Sequence, residues 1–332
     1  RLDIATRSLA EVPFEAEVEI EVAKTKKAEP QVGEPEFRAH MLRDWATSPD
    51  GKYALFHALG SLYSVALSGG EPKRLTALDG FEYSPSFSPD GRYVVFAHWS
   101  DEDYGSLYRA RWQGRKGVGR LEKITAEPGH YQNPSVNDRG AVAYEKQTGN
   151  GFRGYLHGLE PGLYVFDPDT GATRRIQREG RNPQWLGEQS RIAFETGGGD
   201  KKKIVSIDHF GSDRREHYNL GRVSEWRIDS RGERIAFRED FKVFVAPMVR
   251  SARVQELSRK VGSVAVDAAS EEAGRYLHWS ADSLHWGLGS RYFFWNPADE
   301  APQSVDIDFK VAVQRSDRLL AYTNARFITM AG

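Results

Sequence analysis

The chain has 332 residues, 39% hydrophobic and 28% charged, and 46 Lys/Arg against 47 Asp/Glu leave a formal net charge of -1. That length can bury a large core, but the balanced charge supplies no global basic field for nucleic acid or an anionic membrane surface. The absence of cysteine excludes disulfides, thiolate metal sites and cysteine nucleophiles, and no run of ~18 apolar residues is present to span a bilayer.

The chain opens on Arg1 rather than Met and shows no signal peptide, so it reads as a mature chain or a piece of a longer one. Leu2 to Phe14 has two short strand-like runs, Glu15 to Glu21 alternates weakly, and Val22 to Pro35 is a Lys/Glu/Pro-rich linker. A stronger pattern follows. Trp45-Ala46-Thr47-Ser48-Pro49-Asp50-Gly51 leads into an apolar strand at Lys52 to His57, then Ser61 to Leu67 and Lys73 to Thr76. Tyr83 to Thr125 repeats it, with Ser88-Pro89-Asp90-Gly91 between a strand ending at Phe87 and another over Arg92 to Trp99. The proline presets φ, the aspartate bonds its own backbone, and the glycine takes positive φ, so each Ser-Pro-Asp-Gly is a turn with a mechanism.

Later copies decay but keep the skeleton: Pro134 to Gly140, Pro183 to Gln189, Trp226 to Gly232 and Tyr276 to Trp286. The turn points Gly51, Gly91, Gly140, Gln189, Gly232 and Ser283 recur at about 40 to 50 residues, with four short strands per repeat, which is the unit of a β-propeller blade. The expected fold is all-β, a six-bladed β-propeller over residues 37–306, with blades at 37–80, 81–127, 128–179, 180–219, 220–261 and 262–306. Extra strands flank it: residues 1–36 as the tail of an upstream or closing blade plus a linker, and residues 307–332 as a connector with a further strand. Blade three carries a long insertion from Gln147 to Pro161, and Lys201-Lys202-Lys203 in blade four reads as a solvated hairpin tip.

Catalytic signatures are missing. The nine histidines form no His-x-His or His-Glu-x-x-His, and the close pair His278 and His285 lies across a turn. There is no Gly-x-Ser-x-Gly and no phosphate-cradling glycine loop. The polar residues that follow the second strand of each repeat are the candidates for a channel mouth: His57, His98, Trp99, Glu145, Glu195, Arg238 and Glu239. A ring of such groups suits a cation, a peptide terminus or a facing domain; ordinary loop-facing polar residues are the bland alternative.

The Ser-Pro-Asp-Gly turns, the Leu-Tyr strands at Leu62-Tyr63, Leu107-Tyr108 and Leu163-Tyr164, the Gly69-Gly70-Glu71-Pro72 turn and the closing Arg74-Leu75-Thr76 resemble TolB-type propeller repeats. The order of motifs, from SPDGKYALFHALGSLYSV through FEYSPSFSPDGRYVVFAHWSDED and HWSADSLHWGLG to LLAYTNARFITMAG, is similar to the TolB-like region of large bacterial amidohydrolases. In that family, propeller blades precede a metal-dependent hydrolase domain. The resemblance implies that this chain is a non-catalytic portion that restricts access to the catalytic domain for peptide-like or other C–N bond substrates. It also implies that Thr323 to Met330 is the first strand of the hydrolase's small β-domain, that the divalent metal, zinc by preference, belongs to the catalytic domain, and that the protein is periplasmic or secreted. None of the family's metal ligands has a counterpart here. Two alternatives stay open, a cell-envelope propeller that binds a partner protein without a hydrolase, and a propeller lyase with metal in its channel, for which no histidine cluster is visible.

Overall fold

The computed structural model describes residues 2–21, 34–148, 160–186, 191–249, 251, 253–260, 265–316, 318 and 320–326. The chain divides into a large unit, residues 37–312, and a smaller one formed by residues 1–36 and 313–332. In the smaller unit Leu2–Asp3 and Ser8–Leu9 pair as an exposed antiparallel hairpin, and Asp3 Oδ1 accepts the N–H groups of Ala5 and Thr6 at 3.0 Å each. Residues 320–326 carry no strand, and the rest of the strand expected over 323–330 lies outside the described residues.

The large unit is a six-bladed β-propeller, six antiparallel sheets in a ring. Blade one occupies 43–74, blade two 81–123, blade three 130–177, blade four 181–219, blade five 223–268 and blade six 275–306. Their first strands, Arg43–Thr47, Phe81–Phe87, His130–Val136, Arg181–Leu186, Val223–Ile228 and Arg275–Ser280, touch one another in succession and the last touches the first, so they surround the axis. The second strands are covered on both faces, which is why they read as nearly unbroken apolar runs such as Val94 to Ala97 and Ile235 to Phe237, all fully buried.

Each of six buried clusters is built from two neighbouring sheets rather than from one. Val95, Ala97 and Leu107 of blade two pack on Tyr131, Val142, Tyr144 and Phe166 of blade three, and Ala193, Ile204 and Tyr218 of blade four pack on Trp226 and Phe237 of blade five. At ~25 cal/mol per Å2 of apolar surface, this inter-blade burial is the main driving force for the ring.

The repeated turns work as their residue types require. In blade one Ser48 Oγ donates to Asp50 Oδ1 at 2.6 Å, while Asp50 Oδ1 accepts Lys52 N–H and Ser48 Oγ accepts Tyr53 N–H. Blade two repeats this set with Ser88, Asp90, Arg92 and Tyr93. In the decayed copies one side chain does the work of both: Asn137 Oδ1 accepts the N–H groups of Arg139 and Ala141, and Asp229 Oδ1 those of Glu233 and Arg234. The glycines that follow, Gly51, Gly91, Gly140 and Gly232, all have φ between 67° and 79°.

One expected boundary is corrected. Blade five does not end at 261: its fourth strand is Asp267–Ala268, paired with Phe244 and Val245. Between the third and fourth strands the chain crosses to blade four, where Gln255–Glu256 adds a parallel fifth strand beside Tyr218 and Asn219 and Leu257 is buried. The apolar demand of Leu257, met in the blade four–five cluster, draws this segment away from its own sheet. The insertion expected at 147–161 lies largely outside the described residues.

Among the described residues no strand is exchanged between blades one and six; contacts close the seam. Arg38 pairs with Asp308 at 2.8 Å, Ala39 N–H donates to Phe309 C=O, and Glu36–Arg38 pairs with Lys310–Ala312 in a small ribbon. Trp45 of blade one lies 4.9 Å from Phe56 and from Tyr292 of blade six. Beside it runs a buried polar chain. His278 Nδ1 faces the Tyr276 carbonyl at 3.0 Å, so it carries the proton, and Nε2 accepts from Thr47 Oγ1 at 2.7 Å. Thr47 also bonds the Tyr292 hydroxyl, which reaches His285 Nδ1 at 2.7 Å, and the two imidazoles stack 5.3 Å apart.

Burial, and after it Arg227, holds the His278 pKa down at about 4; burial and the neighbouring His278 hold His285 well below its usual value. Both rings are therefore neutral in the folded ring, whereas the unfolded chain takes up protons below about 6.5. The unfolded state then binds more protons, and stability falls as pH drops from about 6.5 toward 4 while staying flat above. The loss expected from His278 is about 3 kcal/mol at the acid end, visible in urea unfolding midpoints against pH; His278→Gln should remove that share of the slope and leave the part due to His285. A second expectation concerns Gly287, where a Cβ would lie 2.2 Å from Trp45 Nε1. Gly287→Ala should cost about 1–3 kcal/mol through overpacking at the seam, read as a melting temperature lowered by several degrees.

Candidate functional site

Every first strand carries one extra residue. The register shifts between Arg43 and Ala46, Tyr83 and Ser86, Gln132 and Ser135, Arg181 and Gln184, Val223 and Glu225, and Arg275 and His278. These are β-bulges, which bend a strand and re-aim its side chains. In five of them a non-glycine residue takes positive φ: Asp44, Ser84, Asn133, Asn182 and Tyr276, at 50° to 61°. Asn and Asp tolerate this conformation, but a tyrosine there needs support from its surroundings.

Carboxylates from the preceding blade provide such support at three of the bulges. Asp44 Oδ2 of blade one accepts Ser84 N–H of blade two at 3.3 Å. Glu145 Oε2 of blade three accepts Asn182 N–H of blade four at 3.1 Å. Glu225 of blade five accepts Tyr276 N–H at 3.1 Å and Leu277 N–H at 2.6 Å on blade six. The clasps join the blades in pairs, one to two, three to four, and five to six.

Within the channel, between blades three, four and five, lies a cavity of about 310 Å3. It is lined by the carboxylates Glu145, Glu195 and Glu225, the guanidiniums Arg181 and Arg227, and the amides Gln132 and Gln147. Much of that polarity is already spent. Glu145 holds Asn182 N–H, Asn133 Nδ2 and Gln147 Nε2; Glu195 pairs with Arg181 at 2.9 Å; Gln147 Nε2 also donates to Gln132 Oε1 at 2.9 Å. Arg227 gives Nη1 to the Trp226 carbonyl at 2.8 Å. Burial lowers its pKa, opposed by Glu225 and then Glu195, while burial raises that of Glu225, opposed by Arg227. The arrangement can bind and orient a polar ligand. Among the described residues no three His, Asp or Glu side chains are placed to hold a metal ion.

Of the residues singled out from sequence, the structure brings Glu145 and Glu195 together in this cavity. The others lie outside its lining. His57 is half-buried opposite Arg43, with its pKa lowered by burial against the pull of Asp44. His98 is buried with Nε2 2.6 Å from the Asp79 carbonyl. Trp99 stacks on His130 at 4.5 Å and donates to Asp101 at 3.0 Å. Arg238 Nη1 donates to Ser224 Oγ at 2.9 Å with the guanidinium over the Phe241 ring. Glu239 is buried under Ser258 Oγ and Arg259 N–H, at 3.0 and 2.7 Å. The lysine run is also engaged: Lys202 donates to the Val223 carbonyl and Lys203 pairs with Glu216. Sequence reasoning missed Asp44, Arg181, Glu225 and Arg227. A signal existed in Ser84-Pro85, Asn133-Pro134 and Asn182-Pro183, which mark the bulge one step before each repeat's turn.

No protein-family model matches the chain, and no curated protein matches it in sequence. Solved structures share its fold. The tricorn protease superposes with a TM-score of 0.60 at 15% identity over 84% of this chain, which spans only 27% of that protein. A putative TolB from Agrobacterium tumefaciens gives a TM-score of 0.52 at 18% identity, over 73% of this chain and 87% of its own. TolB from Acinetobacter baumannii gives 0.51 at 15% identity, over 83% and 62%. At these identities the likeness establishes a TolB-like propeller fold and nothing of activity.

Glu145→Ala should unfold more readily than the parent, because it strips an acceptor from Asn182 N–H, Asn133 and Gln147 at once. The expected loss is about 2–4 kcal/mol, measured by guanidinium unfolding, with Glu145→Gln recovering part of it.

Proposed function

We propose that this chain is the binding and gating portion of a hydrolytic assembly, and that bond-breaking belongs to an amidohydrolase-type catalytic domain acting on peptide-like or other C–N bonds. The observation that carries the reading is the channel cavity, whose carboxylates are taken up by backbone, amide and, for Glu195, guanidinium partners while Arg227 and the amides keep donors for a ligand. Such a lining binds and orients; it offers no nucleophile activated by an adjacent base. The link to an amidohydrolase is supported by the order of motifs along the sequence. In that assembly a divalent metal, zinc by preference, would polarise the amide and activate water within the catalytic domain. A periplasmic or secreted location goes with this reading.

A second reading, a cell-envelope propeller that binds a partner protein, is favoured by one observation. Leu59 and Phe241, on hairpins between second and third strands, and Phe81, at the start of a first strand, are 55%, 68% and 57% exposed. Antiparallel pairing puts these positions at the same end of their blades. Apolar groups at a channel end suit a docked protein surface, whether a catalytic domain or a separate chain.

The two readings separate on turnover. This chain alone should hydrolyse no amide, and a longer protein carrying it before a hydrolase domain should show metal-dependent hydrolysis. Amide turnover by the isolated chain that survives metal stripping would overturn the division of labour. Tight binding to a partner that carries no hydrolase would favour the second reading.

A further inference from the structure

Near the channel end of the first strands, three arginines of the described residues stand outside any ion pair. Arg43 and Arg275 occupy the positions just before the bulges of blades one and six, and both are exposed. Arg238 of blade five is paired in register with Glu225, whose carboxylate is turned onto Tyr276 N–H and Leu277 N–H, immediately beside Arg275. Two guanidiniums thus flank one carboxylate that is already directed at two backbone donors. Arg43 joins the same neighbourhood, since Arg275, then the Asp44 carboxylate and then Arg43 act electrostatically on Tyr276, and Asp44 is itself turned onto Ser84 N–H of blade two. The fourth arginine in this region, Arg181, is neutralised by Glu195. Among the described residues, Arg43, Arg238 and Arg275 make no ion pair, and Arg238 Nε is buried without an acceptor.

This arc spans three consecutive blades, five, six and one. Burial and then Arg275 depress the pKa of Arg238, the mark of like charges held together. Aromatic rings hold two of the side chains in place: Arg275 lies over Tyr276 at 5.4 Å and Arg238 over Phe241 at 5.2 Å. Behind the arc, Arg227 faces the cavity with one guanidinium nitrogen bonded to the Trp226 carbonyl. Planar guanidiniums match carboxylates two bonds at a time, with charge assistance.

We propose that Arg238 and Arg275, with Arg43 at the edge, form a recognition site for a carboxylate-bearing ligand at the mouth of the channel. The site takes the carboxylate as a planar two-oxygen acceptor and directs the remainder of the ligand toward the amide-lined cavity. It rests on the reading of the chain as a binding and gating propeller and names the ligand group that the gate selects. A carboxylate can come from the end of a short peptide or from an acidic side chain, and the same arc serves both.

The test is fluorescence anisotropy with the full 332-residue chain and three labelled tetrapeptides: one with a free C-terminal carboxylate and no acidic side chain, its C-terminal amide, and an amidated peptide carrying one glutamate. The free-acid peptide should bind at least about tenfold more tightly than the plain amide. Tight binding by the amidated glutamate peptide would assign the carboxylate to a side chain, and weak binding to a chain terminus. Arg275→Ala should weaken the preferred peptide about tenfold or more without moving the melting temperature, because the side chain is exposed, and Arg275→Lys should restore only part of the affinity. Equal binding of all three peptides, no binding of any, or an unchanged affinity in both Arg275→Ala and Arg238→Ala overturns the proposal. These measurements contain no hydrolase, so their failure leaves the test of the gating reading standing, and the converse holds.

Discussion

A four-stranded sheet has two faces, and in this protein both are apolar over the second and third strands. That surface has no cover within its own sheet, so the only stable arrangement is sheet against sheet around an axis. The six clusters of buried side chains, each shared by two blades, are the direct expression of this constraint. Everything else in the large unit follows from it. First strands are forced to the centre, where space is least, and each relieves the crowding with a bulge. The bulges expose backbone N–H groups, and Asp44, Glu145 and Glu225 reach across from the neighbouring blade to accept them.

The seam between blades six and one is closed by side chains as much as by backbone bonds. Trp45 takes the space left by the missing side chain of Gly287, and a hydrogen-bonded chain of Thr47, His278, Tyr292 and His285 fills the polar remainder. Such a chain is satisfied only with uncharged imidazoles, since the second nitrogen of His278 must receive a proton from Thr47 rather than hold one. The close histidine pair visible in the sequence is therefore a packing element with polar tips, and its ring nitrogens are occupied by Thr47 and Tyr292.

Much of the fold was legible in the residues because the turn chemistry is local. Ser-Pro-Asp-Gly states its conformation within four positions, and even where Asn137 or Asp229 replaces the serine, the glycine that follows preserves the signal. The boundary after blade five was not legible, because Leu257 and Gln255 are recruited by a different sheet from the one that precedes them. The site was half legible. The polar positions that follow the second strands pointed to Glu145 and Glu195, but Asp44, Glu225 and Arg227 lie on bulged first strands, where one extra residue shifts which side chains face the axis. Period-two reasoning fails at a bulge, and no composition or spacing rule reports which blade's carboxylate will reach the next blade's backbone.

Because each of the sheets of blades one, two, three and six is made from one unbroken stretch of chain, the polypeptide could be rejoined end to end and reopened at several of the links between blades without dismantling any of those sheets. The excursion through Gln255–Glu256 makes one exception. It staples blade four to blade five before the last strand of blade five is laid down, so these two sheets must be inherited, duplicated or transplanted as a couple, while their neighbours are free to be traded singly.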